Sequence, residues 1–457
     1  MKLHGIIFAS ALSLFCTAAC EKPDPALESL SLTRTSLYLD AGETAQLVAV
    51  PSPSSVLISP TWSSSDASVA TVNASGLVRG VDTGTAVISA TAGGMVAECT
   101  VNVKGNSPGT EVTGDGWLDP RDALSLPLSA ALIHSLGTQL YRRGNVMQGW
   151  DFTDAGHYYY AQAPSALYSQ YVSFVPGPGA SHSNFMTLER FGHMTQIVAE
   201  KASDGKTYIW CNSNGQALSD GYGNSWSVSR IEYVPGGIYS GGYAGDTWVM
   251  DKSYGGKRFY DLQVSIDFDY RRMLIGARAA GAAIRFHWVF DLDEVLSLPL
   301  KEVSVTVALG GYISGDGEAR SEVRTFMARD LGDAEVLGYF EVPRGADPSK
   351  TYYYSHQGHE VHGDYVWFYE GEALTADHPS VAFITVYDYS GNVVIPRTEV
   401  AALRDSNAMR SMGFTYDGSA EAESMKIKDG VLYLGFACHS SAASSNRIQN
   451  ILKYDLK

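Results

Sequence analysis

The sequence predicts an all-β protein with two globular units, a small β-sandwich followed by a β-propeller. Short runs of alternating apolar and polar residues lie between turn residues, and helical periodicity is nearly absent. The 457 residues include 46 glycines and 27 tyrosines but only 18% charged residues, a composition typical of turn-rich β proteins. A strand–turn–strand pattern also recurs five times in the C-terminal part, which is typical of a repeating β architecture.

The first residues resemble a bacterial lipoprotein signal. Lys2 precedes the apolar run GIIFASALSLFCTAA, which is too short to span a bilayer as a mature helix, and Cys20 follows it. The stretch TAAC resembles a lipobox, although Thr17 stands where leucine is usual. The resemblance implies a signal peptide at 1–19 and a lipid on Cys20, with a cleaved signal without lipid as the alternative. Residues 20–26 are predicted to be a tether, and the acidic residue after the cysteine resembles the surface-export signal of Bacteroidetes lipoproteins. We therefore expect an outer-membrane lipoprotein exposed at the cell surface.

Composition limits the classes of partner. The net charge of −16 and the absence of a Lys/Arg run exclude a nucleic-acid-binding face. The expected contact with a membrane is the lipid anchor, the expected state is a monomer, and no cofactor is predicted. Cys99, Cys211 and Cys438 are too far apart for a zinc-binding pair. We expect buried free thiols, with a Cys211–Cys438 bridge as the alternative.

The first globular unit is predicted at 27–103, where short strands at regular spacing indicate a β-sandwich. The stretch WSSSDASVATVNASGLVRGVDTGTAVISA, which begins at Trp62, resembles the bacterial immunoglobulin-like domain of group 2. The resemblance implies a spacer or adhesive unit on a surface protein, with Trp62 in its core. Turns that need positive φ are expected at Gly76, Gly80 and Gly84.

After a predicted linker at 104–116, the region 117–457 carries the recurring pattern. Each unit opens with a polar residue, continues through a short strand and a turn with Asp or Gly, and ends in an aromatic-rich strand. Repeated antiparallel units over this length predict a β-propeller with five blades, closed by an early strand around residues 134–146. The units are marked by Gln148, His193, Gln263, Gln357 and Glu423.

Short motifs in this region resemble a known propeller family. The stretches QGWD, GHMTQI and EAESMKI followed by DGVLYLGF are similar to the propeller shared by helveticin J-type bacteriocins, some phage receptor-binding proteins and teichoic-acid-biosynthesis protein C. The chain departs from that family at Met194 and Ser424, where glycine is usual. The resemblance implies binding at bacterial surfaces or to polysaccharides.

The five residues that mark the units occupy the same position in the repeat. Their side chains are therefore expected to surround one mouth of the central channel. Sugar binding needs amides or acids for hydroxyl pairs and flat aromatics for ring faces. The alternative is a polar ring that bonds only to neighbouring blades or channel waters. The predicted ligand-binding residues are Gln148, Asp151, His193, Gln196, Gln263, Gln357, His359, Glu360, Glu423, Tyr243 and Trp248.

Three histidines lie close together in the stretch YYYSHQGHEVHGDYVWFYEG. Because successive side chains on a strand point to opposite faces, His356 and His362 are expected on one face with Glu360, and His359 on the other. One ion could not bind all three, so no metal site is predicted.

The preferred function is recognition of a glycan or other cell-surface polymer, and two alternatives remain open. A polysaccharide lyase needs a base, an acid and a cation that neutralises a uronate. His193 and Tyr243 are candidates for base and acid, with Arg258, Arg271 or Arg278 as the cation; a hydrolase would use two carboxylates. The third class is a structural or protein-binding surface module.

Overall fold

The computed structural model describes residues 26–456. Gaps in the described residues fall at 35, 41, 43, 54–55, 57, 83, 105–119, 125–130, 140–144, 154–156, 164–168, 178–179, 181–183, 216–223, 251–256, 280–282, 309–320, 346–353, 374–379, 401–402, 404–405, 415–418, 440 and 442–445. The predicted signal peptide, the lipidated Cys20 and nearly all of the predicted linker lie outside the described residues. Where helices are described, none is long and apolar enough to cross a membrane.

The N-terminal unit is a small all-β domain. A four-stranded sheet of order β2-β9-β8-β5 packs against a three-stranded sheet of order β3-β7-β6, and β1 pairs with β4. Leu47, Ile88 and Val101 are fully buried between the sheets. The strands are β1 (Ser29–Leu32), β2 (Ser36–Asp40), β3 (Thr44–Gln46), β4 (Ala49–Ser52), β5 (Thr61–Ser64), β6 (Ala70–Val72), β7 (Leu77–Gly80), β8 (Gly84–Ala92) and β9 (Met95–Lys104).

Two of the three expected turn glycines have positive φ in this domain. The φ angle is 83° at Gly76 and 150° at Gly84, whereas Gly80 ends β7 without a left-handed backbone. A Cβ atom at Gly76 would lie 2.7 Å from the ring of Trp62. Trp62 is partly buried and packs against the core cluster, so its ring is held by the backbone of this turn.

The C-terminal unit is built almost entirely of strands. Its first strands are β10 (Ala131–Gln139), β11 (Met147–Phe152), β12 (Tyr158–Gln162), β13 (Ser169–Val175), β14 (Asn184–Glu189), β15 (Ile197–Lys201), β16 (Thr207–Ser213), β17 (Ser227–Glu232), β18 (Ile238–Tyr239) and β19 (Asp246–Val249). The later strands are β20 (Phe259–Asp267), β21 (Arg272–Ala279), β22 (Ile284–Asp291), β23 (Lys301–Ala308), β24 (Ser321–Asp330), β25 (Val336–Pro343), β26 (Ser355–His362), β27 (Tyr365–Glu372), β28 (Val381–Asp388), β29 (Val393–Glu399), β30 (Ala420–Lys428), β31 (Val431–His439) and β32 (Arg447–Asp455). The short helices are α1 (Pro120–Ala123), α2 (Leu292–Ser297) and α3 (Ser406–Ser411).

The described strands of this unit form five sheets whose innermost strands follow one another along the chain. In order, the sheets are β11-β12-β13-β14-β18, β15-β16-β17-β19-β24-β23, β20-β21-β22-β25, β26-β27-β28-β29 and β10-β32-β31-β30. The first strands β11, β15, β20, β26 and β30 each contact the next, and β30 returns to contact β11. Neighbouring inner strands therefore close a ring, which is the arrangement of a β-propeller.

The ring closes by pairing the two ends of the unit. Strand β10 pairs antiparallel with β32, from Ala131 opposite Lys453 to Gln139 opposite Ile448. An early strand was expected to provide this closure at about 134–146, and the strand that does so begins three residues sooner. Because β10 belongs to the last sheet and leads directly into β11 of the first sheet, this pairing joins the first and last sheets of the ring.

Large aromatic side chains fill the space between the sheets. Trp150, Trp210, Trp288 and Trp367 are at most 1% exposed, and each packs in an apolar cluster that joins strands of adjacent or stacked sheets. Among the described residues the cysteines Cys99, Cys211 and Cys438 are free and buried. The expected free thiols are present, and the alternative Cys211–Cys438 bridge is not formed.

The N-terminal domain contacts the outer edge of the third sheet. Strand β2 lies against β25, and Arg34 donates a hydrogen bond of 2.5 Å to the carbonyl oxygen of Ser390. Burial at this contact lowers the pKa of the Arg34 guanidinium, while Asp388 and Glu341 oppose the effect. The domain therefore has a specific side-chain contact with the propeller.

Candidate ligand-binding site at the propeller mouth

Each innermost strand carries an irregular residue at an equivalent position. The φ angles are 61° at Met194, 56° at Asp261 and 59° at Ser424, and the backbone of Gly358 is also left-handed at 146°. The pairing register shifts at or next to these positions in β20, β26 and β30, and next to Gly149 in β11. These features are β-bulges, which bend a strand and redirect its side chains.

The bulges hold the inner strands close together. A Cβ atom at Gly149 would lie 2.6 Å from the carbonyl oxygen of Met194, and one at Gly358 would lie 3.2 Å from the Cα of Ser424. Met194 and Ser424 are the positions where the chain departs from the glycine of the resembled family, and both keep the left-handed backbone. A non-glycine residue in this conformation costs roughly 1–2 kcal/mol. Such strain is typical of functional sites.

The residue before each bulge faces one mouth of the channel. Gln148, His193, Gln357 and Glu423 occupy this position, as the repeat predicted, and all four line one cavity. In the third sheet the position belongs to Tyr260, because the bulge there is at Asp261. The prediction of Gln263 in this ring was therefore wrong: Gln263 lies three residues further along the strand.

The cavity at the mouth has a volume of about 510 Å³, enough for a small-molecule or saccharide unit. Its wall is largely polar. Besides the ring residues, the polar groups that line it are Thr195, Asp261, Arg278, Arg285, Arg344, Ser355, His356 and Glu421.

Two arginines on neighbouring strands face this cavity. Arg278 on β21 lies directly opposite Arg285 on β22 in the strand pairing. Arg285 is buried and forms an ion pair of 3.1 Å with Asp261. The guanidinium of Arg278 lies 5.6 Å from the ring centre of Tyr260, within the range of a cation–π contact. Like charges directly opposite each other destabilise a sheet, so this pair favours a nearby anion.

Two carboxyl groups lie on the other side of the cavity. Burial raises the pKa of Glu423 well above its usual range, and the neighbouring Glu421 adds to the rise. Burial also raises the pKa of Glu421. The indole of Trp150 donates a hydrogen bond of 2.8 Å to the carbonyl oxygen of Glu423, which fixes that backbone. Gly435 leaves room for the indole, because a Cβ atom there would lie 2.1 Å from Nε1.

A second polar ring lies two residues beyond the bulges, inside the channel. Its members are Asp151, Gln196, Gln263, Glu360 and Lys426, each at most 3% exposed. Glu360 accepts hydrogen bonds from Lys426 at 2.5 Å, from Ser265 at 2.8 Å and from Gln196 at 3.2 Å. Asp151 accepts a 2.7 Å bond from the amide of Ala199 and pairs with Lys428 at 2.7 Å.

Most of the inner ring is satisfied by the protein itself; among the described residues only the Oε1 atom of Gln263 in this ring has no hydrogen-bond partner. Asp151, Gln196 and Glu360, which were predicted to bind ligand, do not line the mouth cavity and have partners on neighbouring strands. Asp151 and Glu360 are therefore poorly placed as a pair of hydrolytic carboxylates. For these residues the geometry matches the alternative of a polar ring that bonds to neighbouring sheets.

The histidines of β26 do not alternate as predicted. The bulge at Gly358 places His356 and His359 on the same side, with 3.2 Å between Nε2 of His356 and Nδ1 of His359. His287 on β22 lies against them. His362 points elsewhere and contacts Asp267 at 3.1 Å. The expected faces were wrong because a bulge resets the twofold alternation of a strand.

Other predicted site residues lie away from the cavity. Tyr243 stacks on Phe326 at 4.5 Å, and Trp248 is 1% exposed and stacks on Trp210. Trp248, which was predicted to bind ligand, belongs instead to the core strand β19. Arg271 forms an exposed ion pair with Asp293. The predicted trio of His193, Tyr243 and Arg271 is therefore not brought together.

Sequence reasoning missed Tyr260, Arg285 and Arg344 as cavity residues. Tyr260 and Asp261 could have been found by placing the bulge rather than the glutamine in register. Arg278 was named only as a candidate cation for a lyase. His287 lies on a third repeat strand, and no sequence motif links it to β26.

A comparison with protein families identifies the N-terminal unit. Residues 26–103 match the family model of the bacterial Ig-like domain (group 2). A search of curated proteins finds no match. The comparisons do not confirm the predicted resemblance to helveticin J-type propellers.

Several solved structures are similar at very low identity. A GH43 β-1,3-galactosidase is 9% identical with a TM-score of 0.33, and the match covers 71% of this chain and 60% of the galactosidase. An α-L-arabinofuranosidase from Lactobacillus brevis is 8% identical with a TM-score of 0.32, covering 70% of this chain and 94% of that one. A virginiamycin B lyase variant from Staphylococcus aureus is 9% identical with a TM-score of 0.26, covering 68% and 97%. Sequence identities and TM-scores this low do not support a conclusion about activity. The chain is thus an all-β protein that joins a group 2 Ig-like domain to a propeller-like unit.

Proposed function

We propose that the protein is a surface lipoprotein whose propeller mouth binds an acidic glycan, with the Ig-like domain as spacer. The observation that carries the proposal is the pairing of Arg278 with Arg285 on adjacent strands at the cavity wall. Two guanidiniums in this arrangement gain most from a carboxylate that both can reach, because arginine binds carboxylates through two parallel hydrogen bonds.

The local charge supports an anionic ligand although the whole chain is acidic. The cavity wall holds three arginines, and Asp261 is already paired with Arg285. Burial raises the pKa of both Glu421 and Glu423 on the other side of the cavity, which favours their neutral forms. The arginine side of the cavity therefore offers positive charge to an anionic ligand, although the net charge of the chain is −16.

The remaining wall suits a sugar ring. Tyr260 offers an aromatic face, and Gln148 and Gln357 offer amide donors and acceptors for hydroxyl pairs. A neutral Glu423 would donate a hydrogen bond as well as accept one. Uronic acids combine a carboxylate with several hydroxyls, so they match both halves of the cavity.

Affinity electrophoresis of the full chain tests the proposal. The gels contain a panel of acidic polysaccharides, including polygalacturonate, and a highly methyl-esterified pectin with the same backbone. We expect retardation by an acidic member and little by its esterified counterpart. Arg278→Gln removes an exposed guanidinium, and losing a hydrogen bond to a charged group costs about 1.5–3 kcal/mol, or roughly 10- to 100-fold in affinity.

Arg79→Gln is the matched control, because Arg79 is an exposed strand residue of the Ig-like domain. It changes the net charge equally and should leave retardation intact. Equal retardation by charged and esterified polymers would exclude the acidic specificity. A cleared zone around the band would identify an enzyme. No retardation by any polymer would refute glycan binding and favour a protein partner.

A further inference from the structure

A cluster of three buried histidines lies between the third and fourth sheets. His287 and His359 are fully buried and His356 is 6% exposed. One ring nitrogen of each lies within 4.8 Å of those of the other two. The rings of His287 and His359 meet edge to face with their centres 5.4 Å apart.

Two features of the fold build this cluster. The bulge in β26 turns His356 and His359 to the same side, where their nitrogens approach to 3.2 Å. Gly276 on β21 leaves the space that the ring of His359 occupies, because a Cβ atom there would lie 2.3 Å from its Cε1. Phe340 stacks on His287 at 4.8 Å between ring centres and holds that ring in place.

The cluster leaves buried imidazole nitrogens without protein partners. Neither ring nitrogen of His287 has a hydrogen-bond partner among the described residues, and the same is true of Nδ1 of His356 and Nε2 of His359. A buried polar group without a partner costs about 1–3 kcal/mol. His356 and His359 contact each other through their remaining nitrogens, whereas His287 has no partner among the described residues at either nitrogen. A group bound at the centre of the cluster would therefore satisfy His287.

We propose that His287, His356 and His359 form a binding site for a divalent transition-metal ion of the Zn²⁺ class. Two nitrogens bound at about 2.1 Å in a tetrahedral arrangement are roughly 3.4 Å apart. The observed 3.2 Å between His356 and His359 is close to this value. Imidazole ligands suit Zn²⁺, Ni²⁺ and Cu²⁺, whereas Ca²⁺ and Mg²⁺ require oxygen ligands.

The cations around the cluster oppose metal binding only in part, because two of them are already paired. Arg285 forms an ion pair of 3.1 Å with Asp261, and Lys426 forms one with Glu360. Arg278 is the third cation near His356.

The site is connected to the mouth cavity through His356, which belongs both to the cluster and to the cavity wall. Three protein ligands leave one position for a ligand from solvent. The metal proposal stands on the histidine cluster alone and does not depend on glycan binding.

Titration of the untagged full chain with Zn²⁺ tests the site after treatment with a chelator. We expect one ion bound per chain in competition with a chromophoric chelator, and a Co²⁺ spectrum of a low-symmetry, four-coordinate site. His287→Phe replaces a partnerless imidazole with an apolar ring and should preserve the fold. Loss of one of three ligands is expected to weaken Zn²⁺ binding by about 100-fold or more, beyond the effect of losing a supporting group.

His157→Phe is the matched control, because His157 is exposed and outside the cluster. Its affinity for Zn²⁺ should equal that of the unchanged chain. His356→Gln provides a second test if His287→Phe fails to fold, with tryptophan fluorescence as the folding readout. Absence of stoichiometric Zn²⁺ and Co²⁺ binding, or equal affinity in the folded His287→Phe or His356→Gln variant, would overturn the proposal.

Discussion

Replacing Lys426 with methionine tests the structural role assigned to the inner polar ring. Lys426 and Glu360 are both almost fully buried, and their side chains meet at 2.5 Å. Methionine keeps most of the length of lysine and removes the ammonium. Glu360 would keep its hydrogen bonds from Ser265 and Gln196 but would lose its counter-charge.

The expected loss of stability follows from the burial of the pair. Removing one partner of a buried ion pair costs about 3–5 kcal/mol. Because two neutral donors remain on Glu360, we expect the lower end, about 3 kcal/mol at high pH. A propeller of ordinary stability, about 5–15 kcal/mol, would remain folded.

The loss should depend on pH in a defined direction. Burial raises the pKa of Glu360 above its ordinary 4.5, and Lys426 opposes the rise, so the variant raises it further. Between the unfolded and the folded pKa the native state binds more protons than the unfolded state, and stability therefore falls as pH increases. Between these two pKa values the free energy of unfolding of the variant should fall by about 1.4 kcal/mol for each pH unit of increase.

Urea unfolding at about pH 5.5 and about pH 8, followed by tryptophan fluorescence, measures both effects. Lys206→Met is the matched control, since Lys206 and Glu232 form an exposed ion pair at 2.7 Å. The control should lose far less stability than Lys426→Met at either pH, because solvent screens an exposed ion pair. A Lys426→Met variant no less stable than this control, or equally destabilised at both pH values, would refute the reasoning.

Two further predictions concern buried side chains. Ser424→Gly should increase the free energy of unfolding by about 1 kcal/mol, because it relieves a left-handed backbone and removes a buried hydroxyl that has no partner among the described residues. The control Ser173→Gly removes a similar hydroxyl from a regular strand and should decrease the free energy of unfolding. A loss of stability in Ser424→Gly would contradict the assignment of backbone strain to Ser424. The thiols of Cys99, Cys211 and Cys438 should react with iodoacetamide only after denaturation, because burial raises the pKa of Cys99 and Cys438 to about 12 and that of Cys211 further. Peptide mapping after alkylation of the native protein measures this, and rapid alkylation of any of the three thiols would contradict the prediction.

The repeat pattern predicted the architecture and most of the residues that ring the mouth of the channel. Its one error in this ring, Gln263, has a physical cause. Gln148, Gln357 and Glu423 were placed correctly because each precedes its bulge at the same spacing. In the third sheet the bulge is at Asp261, and Tyr260 rather than a glutamine, histidine or acid precedes it. Gln263, two positions after the bulge, then matched the pattern by residue type alone.

The histidine cluster could not be predicted for a related reason. Strand alternation assigns faces only while the strand is regular, and the bulge before His359 moves it to the face of His356. The third member, His287, comes from a strand of the neighbouring sheet. Such a contact depends on how sheets are arranged around the ring, which no local pattern specifies. Buried aromatics such as Trp248 were misplaced similarly, because a glycine-rich flank made a core strand resemble a loop.

The pairing of β10 with β32 has a consequence for how the protein reaches its folded state. The contact joins residues near the two ends of the propeller, so almost the whole unit must be available before the last sheet can complete its pairing. Contacts of such high sequence separation make folding slow. The ring would therefore remain open until its final strand is available for pairing. Loss of β32 would leave β10 and β31 with exposed strand edges, which favour association between chains over a folded monomer.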